Sequence, residues 1–411
     1  MQKSDGYKLD GSTYFLMVTA CLLLLLSFGF RSSFGLFIKP LTEANGWGRE
    51  TISMALAIQN LFWGIVAVFA GGLADRYGNV RVLVAGTLVY AGGMALMAGV
   101  ENIWVLHSSA GLLVGAGIAG TSFGIVLPAM ARAVGESRRQ LALGLGTAAG
   151  SLGQFAVVPI AQHLINAYGW ITALNILAVS ALTMAFLAIP LAPYSGKAET
   201  VTAARDQSVS EALQEALGHR SFLLLVTGFF VCGFHVAFIT AHMPAFLTDN
   251  GFDARLGAWS ISLIGLCNVF GAFLSGVWSG RVFKRNLLVA IYLGRAVAIT
   301  LFILLPMTLP SVLIFSAVMG FLWLATVPPT SGLVAVMFGT RYMALLYGIV
   351  FLGHQIGSFS GVWLGGWLYD RTGSYDGVWW LGVVFGVLAA IVHWPIEEKP
   401  VMRLAGQTVG N

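Results

Sequence analysis

Twelve apolar runs, each long enough to cross a lipid bilayer as a helix, dominate this chain of 411 residues. They cover 14–38, 50–74, 82–100, 103–131, 139–166, 170–191, 221–248, 255–280, 286–307, 310–337, 343–370 and 376–396. A helix rises 1.5 Å per residue, so about 20 residues cross the hydrocarbon core. No water reaches the backbone there, and only helices or closed barrels satisfy their own N–H and C=O groups. The runs are far longer than barrel strands of about 9–11 residues and do not alternate, so the reading is an all-α membrane protein. Charged residues make up 9% of the chain, against about 25% in soluble proteins, which excludes a soluble enzyme and a disordered chain. The net charge of +5 sits in short clusters between the runs. That pattern encodes topology rather than a nucleic-acid face. The first run is too long for a signal-peptide core of about 7–15 residues and is read as a retained span.

The longest interruption, 192–219, carries Lys197, Glu199, Arg205, Asp206, Glu211 and Glu215 and falls after the sixth run. It divides the chain into a first six-helix bundle (1–191), a linker with a short amphipathic helix around 208–217, and a second bundle (220–411). With both termini cytoplasmic, sixteen Lys and Arg fall on the inner loops, four on the outer loops and two, Arg31 and Arg295, within spans. This asymmetry predicts the orientation. The halves also echo each other. Gly71-Gly-Leu-Ala-Asp75-Arg76-Tyr-Gly78-Asn-Val-Arg81 follows the second run, and Gly276-Val-Trp-Ser-Gly280-Arg281-Val-Phe-Lys284-Arg285 follows the eighth. Internal repetition of this kind is common in transporters that bind substrate at the midplane between their halves.

The 71–81 segment resembles the signature loop of the major facilitator superfamily, and the resemblance extends over essentially the whole chain. It implies twelve helices in two pseudo-symmetric bundles, with spans 1, 4, 7 and 10 around a central cavity. It also implies a cytoplasmic gate formed by Asp75, Arg76 and Arg81, which the sequence extends to Arg138. Phe34-Gly-Leu-Phe-Ile-Lys39-Pro40-Leu with Gly46-Trp47-Gly-Arg49 resembles the first outer loop of monocarboxylate transporters. Arg138-Arg139-Gln-Leu-Ala-Leu-Gly144, leading into Ala149-Gly150-Ser151-Leu-Gly153, resembles their fifth span. His354-Gln355-Ile-Gly357-Ser358, with Gly365-Gly366-Trp-Leu-Tyr369-Asp370-Arg371-Thr-Gly373, is similar to the eleventh span of bacterial members related to oxalate/formate antiporters. The chain departs from that family in three places. Ala272 stands where lactate and oxalate transporters carry an eighth-span arginine, Asn268 replaces an acidic residue, and Arg31 lies beside the position of the first-span lysine.

A charge inside the membrane costs about 3 kcal/mol on insertion scales, so polar residues in the spans mark candidate sites. Arg31, two-thirds along the first run, fits either an anion contact or a side chain that snorkels outward. Arg295, near the middle of the ninth run, can grip a carboxylate bidentately or bond to neighbouring helices. The runs hold no mid-span carboxylate, which leaves histidine as the proton carrier. His242 and His354 are the candidates for that role, with His235 a more structural position. Asn268, Gln154, Gln355, His242 and His354 join Arg31 and Arg295 as candidate substrate ligands. Phe28, Phe238, Trp323 and Phe351 could gate or line a pocket. Cys21, Cys232 and Cys267 lack metal-ligand spacing, and no nucleotide or zinc motif occurs, so no cofactor or metal is expected.

These features predict a secondary transporter of the inner (plasma) membrane, not an enzyme. It would move a small organic anion, above all a monocarboxylate such as lactate or pyruvate, in symport with a proton by alternating access. Organic-anion exchange or efflux of a drug-like compound is the alternative, and a non-transporting sensor would need an output domain that no segment supplies. The expected partners are the carboxylate, the proton and the lipid bilayer, with the superfamily's default monomer.

Overall fold

The computed structural model describes residues 11–134, 138–194, 207–339 and 342–401, and among them every regular element is helical. The spans are Gly11–Asn45 (span 1), Arg49–Ala74 (2), Asn79–Ala98 (3), Ile103–Val134 (4), Arg220–Asp249 (7), Ala254–Ser279 (8), Lys284–Leu304 (9), Leu309–Phe338 (10), Met343–Thr372 (11) and Asp376–His393 (12). Spans 5 and 6 run together as Ala142–Leu187. Gly169, at φ 78° and ψ 163°, separates them. That conformation is open to glycine and strained for any side chain. The linker helix is Val209–Leu217, capped reciprocally by Ser208 and Glu211. The Ser208 N–H and hydroxyl hold the Glu211 carboxyl below the usual carboxylate range. Both chain ends and linker residues 195–206, which carry part of the charge asymmetry, lie outside the described residues.

The sequence predicts unbroken spans, and three of them depart from that. Span 1 passes through a 3-10 turn, Phe34–Phe37, before its last helix, Ile38–Asn45. Span 4 opens on a wide helical turn, His107–Leu113, and is interrupted after Gly120. Span 10 is two half-helices, Leu309–Leu322 and Val327–Phe338. Pro328 and Pro329 sit in the first turn of the second half-helix, where their missing N–H groups cost nothing.

Packing between spans repeats from half to half. A Cβ on Gly153 of span 5 would strike the Leu25 carbonyl of span 1, and one on Gly357 of span 11 would strike the Phe230 carbonyl of span 7. Gly115 of span 4 lies against the Gln59 carbonyl of span 2, as Gly320 of span 10 lies against the Ile264 carbonyl of span 8. Lipid supplies no hydrophobic drive between helices, so close backbone approach through small residues holds the halves together internally. Large side chains such as Phe69, Trp104 and Phe273 are left exposed on the outside.

The halves meet along two seams, span 2 against span 11 and span 5 against span 8. We call the membrane face formed by the turns after odd-numbered spans the odd face, and the opposite one the even face. From the odd face inward the 2–11 seam is tight. Gly366 lies against Arg49 and Ser53, Gly64 against Gln355, and Trp63 against Phe351 at 5.3 Å between ring centres. Beyond that pair towards the even face, a Cβ on Gly71, Gly72 or Gly348 would meet nothing within 4 Å. Along this seam the halves are therefore closed from the odd face as far as the Trp63–Phe351 pair.

Candidate functional site

Between the halves lies a cavity of about 20 Å³, lined by Arg31, Phe34 and Gly35 of span 1, Leu56, Gln59 and Asn60 of span 2, Ala237, Thr240 and Ala241 of span 7, and Val362 of span 11. That volume holds about one water, so a larger guest requires the halves to move. Arg31 is its one charged lining residue. Its Nη2 donates to Asn60 Oδ1 at 3.0 Å, and its guanidinium lies 4.8 Å from the Trp63 ring. No ion pair to Arg31 occurs among the described residues. A half-buried guanidinium with no carboxylate beside it favours an anionic guest.

Two barriers flank the cavity. Along span 2 the lining residues precede Trp63, and along span 11 Val362 follows Phe351. The Trp63–Phe351 pair therefore closes the side facing the even face, backed by Phe28, whose ring centre is 6.0 Å from that of Trp63. On the other side stands a polar lock. Arg49, at the start of span 2, grips Asp249, the last residue of span 7, through Nη1 at 2.5 Å and Nη2 at 2.8 Å. Arg49 also donates to the Tyr375 hydroxyl at 2.9 Å and covers the Tyr369 ring at 3.7 Å. The Asp370 carboxylate accepts the Arg49 and Glu50 backbone N–H groups at 2.9 and 2.8 Å, capping span 2 from the opposite half. Arg371 pairs with Glu50 at 3.1 Å. Burial pushes the Tyr375 phenol above its ordinary value, so it stands neutral in the lock.

Sequence reasoning missed the lock. A signal was available: Asp249 and Asp370 close the C-terminal ends of spans 7 and 11, where the helix dipole is already negative. A carboxylate there needs a cation or free N–H groups from elsewhere, and Arg49 with the first turn of span 2 provides both.

Of the predicted residues, Arg31 lines the cavity. His242 is fully buried beside the lock. Its Nε2 faces the Val362 carbonyl at 2.8 Å, and its Nδ1 faces the Tyr375 hydroxyl at 3.2 Å. Gln154 donates to the Ile261 carbonyl at 2.8 Å. Asn268 donates to Ser151 at 2.9 Å and accepts the Leu324 N–H at 2.9 Å. These two residues stitch the 5–8 seam rather than line the cavity. His354 stacks behind Phe351 at 5.8 Å between ring centres, and its Nδ1 is 3.3 Å from the Oε1 of Gln355, its neighbour in span 11. The Gln355 side chain faces Gly64 across the 2–11 seam.

Arg295 takes a different place from the one expected of a substrate ligand. It is fully buried, away from the cavity, and donates to the Leu322 and Trp323 carbonyls where the first half of span 10 ends. The break in span 10 frees those carbonyls, and a guanidinium is the cation that suits a helix C-terminus. Of the cytoplasmic-gate residues, Arg76 and Arg81 are exposed and Arg138 is half-buried, while the Asp75 side chain lies outside the described residues. Of the aromatic candidates, Phe28 and Phe351 flank the cavity's even side. Phe238 packs on Trp379 inside the second half, and Trp323 lies at the break in span 10.

Two six-span halves that close on a small, mostly apolar cavity holding one charged side chain, Arg31, with a barrier on either side, define a membrane transporter. The chain belongs to the Major Facilitator Superfamily, whose sequence model matches residues 20–362. It is 25% identical over 386 residues to the uncharacterized MFS-type transporter YcxA of Bacillus subtilis, covering 89% of this chain and 90% of that one. It is 26% identical over 392 residues to monocarboxylate transporter 13 of Bos taurus, covering 92% and 89%. Among solved structures, a D-xylose-proton symporter superposes with a TM-score of 0.72 at 15% identity, over 94% of this chain and 99% of that one. That last likeness speaks for the fold alone.

Proposed function

We propose that this transporter carries a small monocarboxylate, with lactate and pyruvate as reference cases, together with a proton. The observation that carries the reading is Arg31, the one charged residue lining the cavity, with no carboxylate paired to it among the described residues. A substrate carboxylate would take the guanidinium bidentately. Its short organic tail would lie against Trp63 and Phe351, whose size disfavours long chains. The similarity to monocarboxylate transporter 13 supports the same substrate class.

In this reading the odd face is the outer one, the termini are cytoplasmic and the membrane is the inner (plasma) membrane. The bundles 1–191 and 220–411 rock about the cavity, tethered by 192–219. The lock around Arg49 is the outer gate, and the Trp63–Phe351 pair is the inner one. Bringing an anion in against a negative-inside potential costs about 2.3 kcal/mol per charge per 100 mV. A cotransported proton cancels that cost, and His242, buried beside the outer gate, is the residue placed to carry it. The test is uptake of labelled lactate and pyruvate into proteoliposomes by the parent and by Arg31→Gln. The reading expects loss of uptake in the variant at unchanged folding. Equal uptake by both overturns it.

A further inference from the structure

We propose that Tyr375 is a positioning residue that relays protonation of His242 to the Arg49–Asp249 lock, so that a proton on His242 releases the odd face. The inference rests on the proton-coupled reading above.

The hydrogen bonds run in one consistent direction. A carbonyl can only accept, so the Val362 oxygen, 2.8 Å from His242 Nε2, holds the ring proton on that nitrogen. Nδ1 of the neutral ring is then an acceptor, and the Tyr375 hydroxyl 3.2 Å away donates to it. The same hydroxyl oxygen accepts from Arg49 Nη1 at 2.9 Å, and Arg49 holds Asp249 with both terminal nitrogens. A buried histidine is thereby linked, through one phenol, to the side chain that joins the two halves.

A proton arriving on Nδ1 reverses the middle of this chain. Nδ1–H becomes a donor, and the Tyr375 O–H can no longer point at it. The phenol oxygen is left facing two cationic donors, the imidazolium and the Arg49 guanidinium. The charged and titratable groups around this point are Arg49 and Glu50 on span 2, Asp249 on span 7, Tyr369, Asp370 and Arg371 on span 11, and Tyr375 ahead of span 12, with Glu50 held by Arg371. Asp249 is already committed to Arg49, and Asp370 to the first turn of span 2. The new cation therefore finds no free carboxylate among these groups, and repulsion falls on Arg49. Arg49 belongs to the first half, whereas His242, Tyr375 and Asp249 belong to the second. Separation of the halves at the odd face relieves the conflict. The sign follows by linkage: the open odd face binds the His242 proton more tightly, so lowering the pH raises its population.

The test needs no substrate. Spin labels on Ala44→Cys and Asn250→Cys, both exposed at the odd face, report its opening in liposomes, with Cys21 and Cys267 replaced by serine and the buried Cys232 retained. Full coupling to one proton shifts the open-to-closed ratio by up to about tenfold per pH unit. The expected result is a clear rise in the open population on acidification in the parent, and a flat profile in both Tyr375→Phe and His242→Gln. A merely structural tyrosine would weaken the lock equally at every pH and leave the slope intact in Tyr375→Phe, which overturns the relay. A parent with no slope also overturns it. Failure of the symport reading is a separate result, namely the absence of acid-driven proton flux in transport assays.

Discussion

Replacing Arg49 with glutamine removes the side chain that ties the first half to the second at the odd face. It deletes two charge-assisted hydrogen bonds to Asp249, one hydrogen bond to Tyr375 and the contact over the Tyr369 ring. Breaking a fully buried ion pair costs about 3–5 kcal/mol. Here the Arg49 side chain is 7% exposed and that of Asp249 is 21% exposed, and both groups regain water when the halves part. A figure of about 2 kcal/mol lost from the closed state alone is appropriate, which is roughly a thirtyfold change in the open-to-closed ratio. Distance distributions between spin labels at positions 44 and 250 measure that ratio directly. The expected outcome is a large gain of the long-distance population in Arg49→Gln at a single pH. A ratio unchanged to within about threefold, equivalent to roughly 0.6 kcal/mol, would show that the lock does not hold the closed state and would refute the reasoning.

Three further substitutions separate packing from transport. Arg295→Met leaves the Leu322 and Trp323 carbonyls without their donor. Each orphaned buried group costs about 1–3 kcal/mol, so the thermal midpoint should fall while the KM for substrate stays within about twofold. A large KM effect at unchanged stability would return Arg295 to the binding site. Gly233→Val places a side chain on the His354 carbonyl where spans 7 and 11 touch; overpacking of about 1–3 kcal/mol should lower the yield of folded protein in a thermal-stability assay. Trp63→Ala removes one side of the aromatic pair, so competition assays should find bulkier acids such as benzoate gaining relative to lactate; unchanged selectivity would remove Trp63 from the gate.

The twelve spans were legible because hydropathy in lipid depends on composition and length rather than on detail. The boundary between spans 5 and 6 was also readable, since Gly169 interrupts the run where the backbone turns. The break in span 10 left a trace in Pro328 and Pro329, but the turn inside span 1 left none beyond Pro40. Arg31 could be placed from its position along span 1. For Arg295 the sequence left substrate binding and bonding to neighbouring helices open, and could not choose because the choice depends on carbonyls freed by the break in a different span. The lock was hidden for a similar reason. Arg49 and Asp249 are 200 residues apart, and nothing local to either one names the other. The misplaced charges at the helix ends were the one clue.

The central claim is that a carboxylate and a proton cross together through the cavity at Arg31. Purified protein in liposomes loaded with a pH-sensitive dye tests it most directly, with a panel of acids from formate to aromatic acids and dicarboxylates added one at a time. Protein-dependent acidification by a few short monocarboxylates, abolished by Arg31→Gln, is the predicted result. Absence of protein-dependent acidification with every acid, or acidification that Arg31→Gln leaves intact, would contradict it.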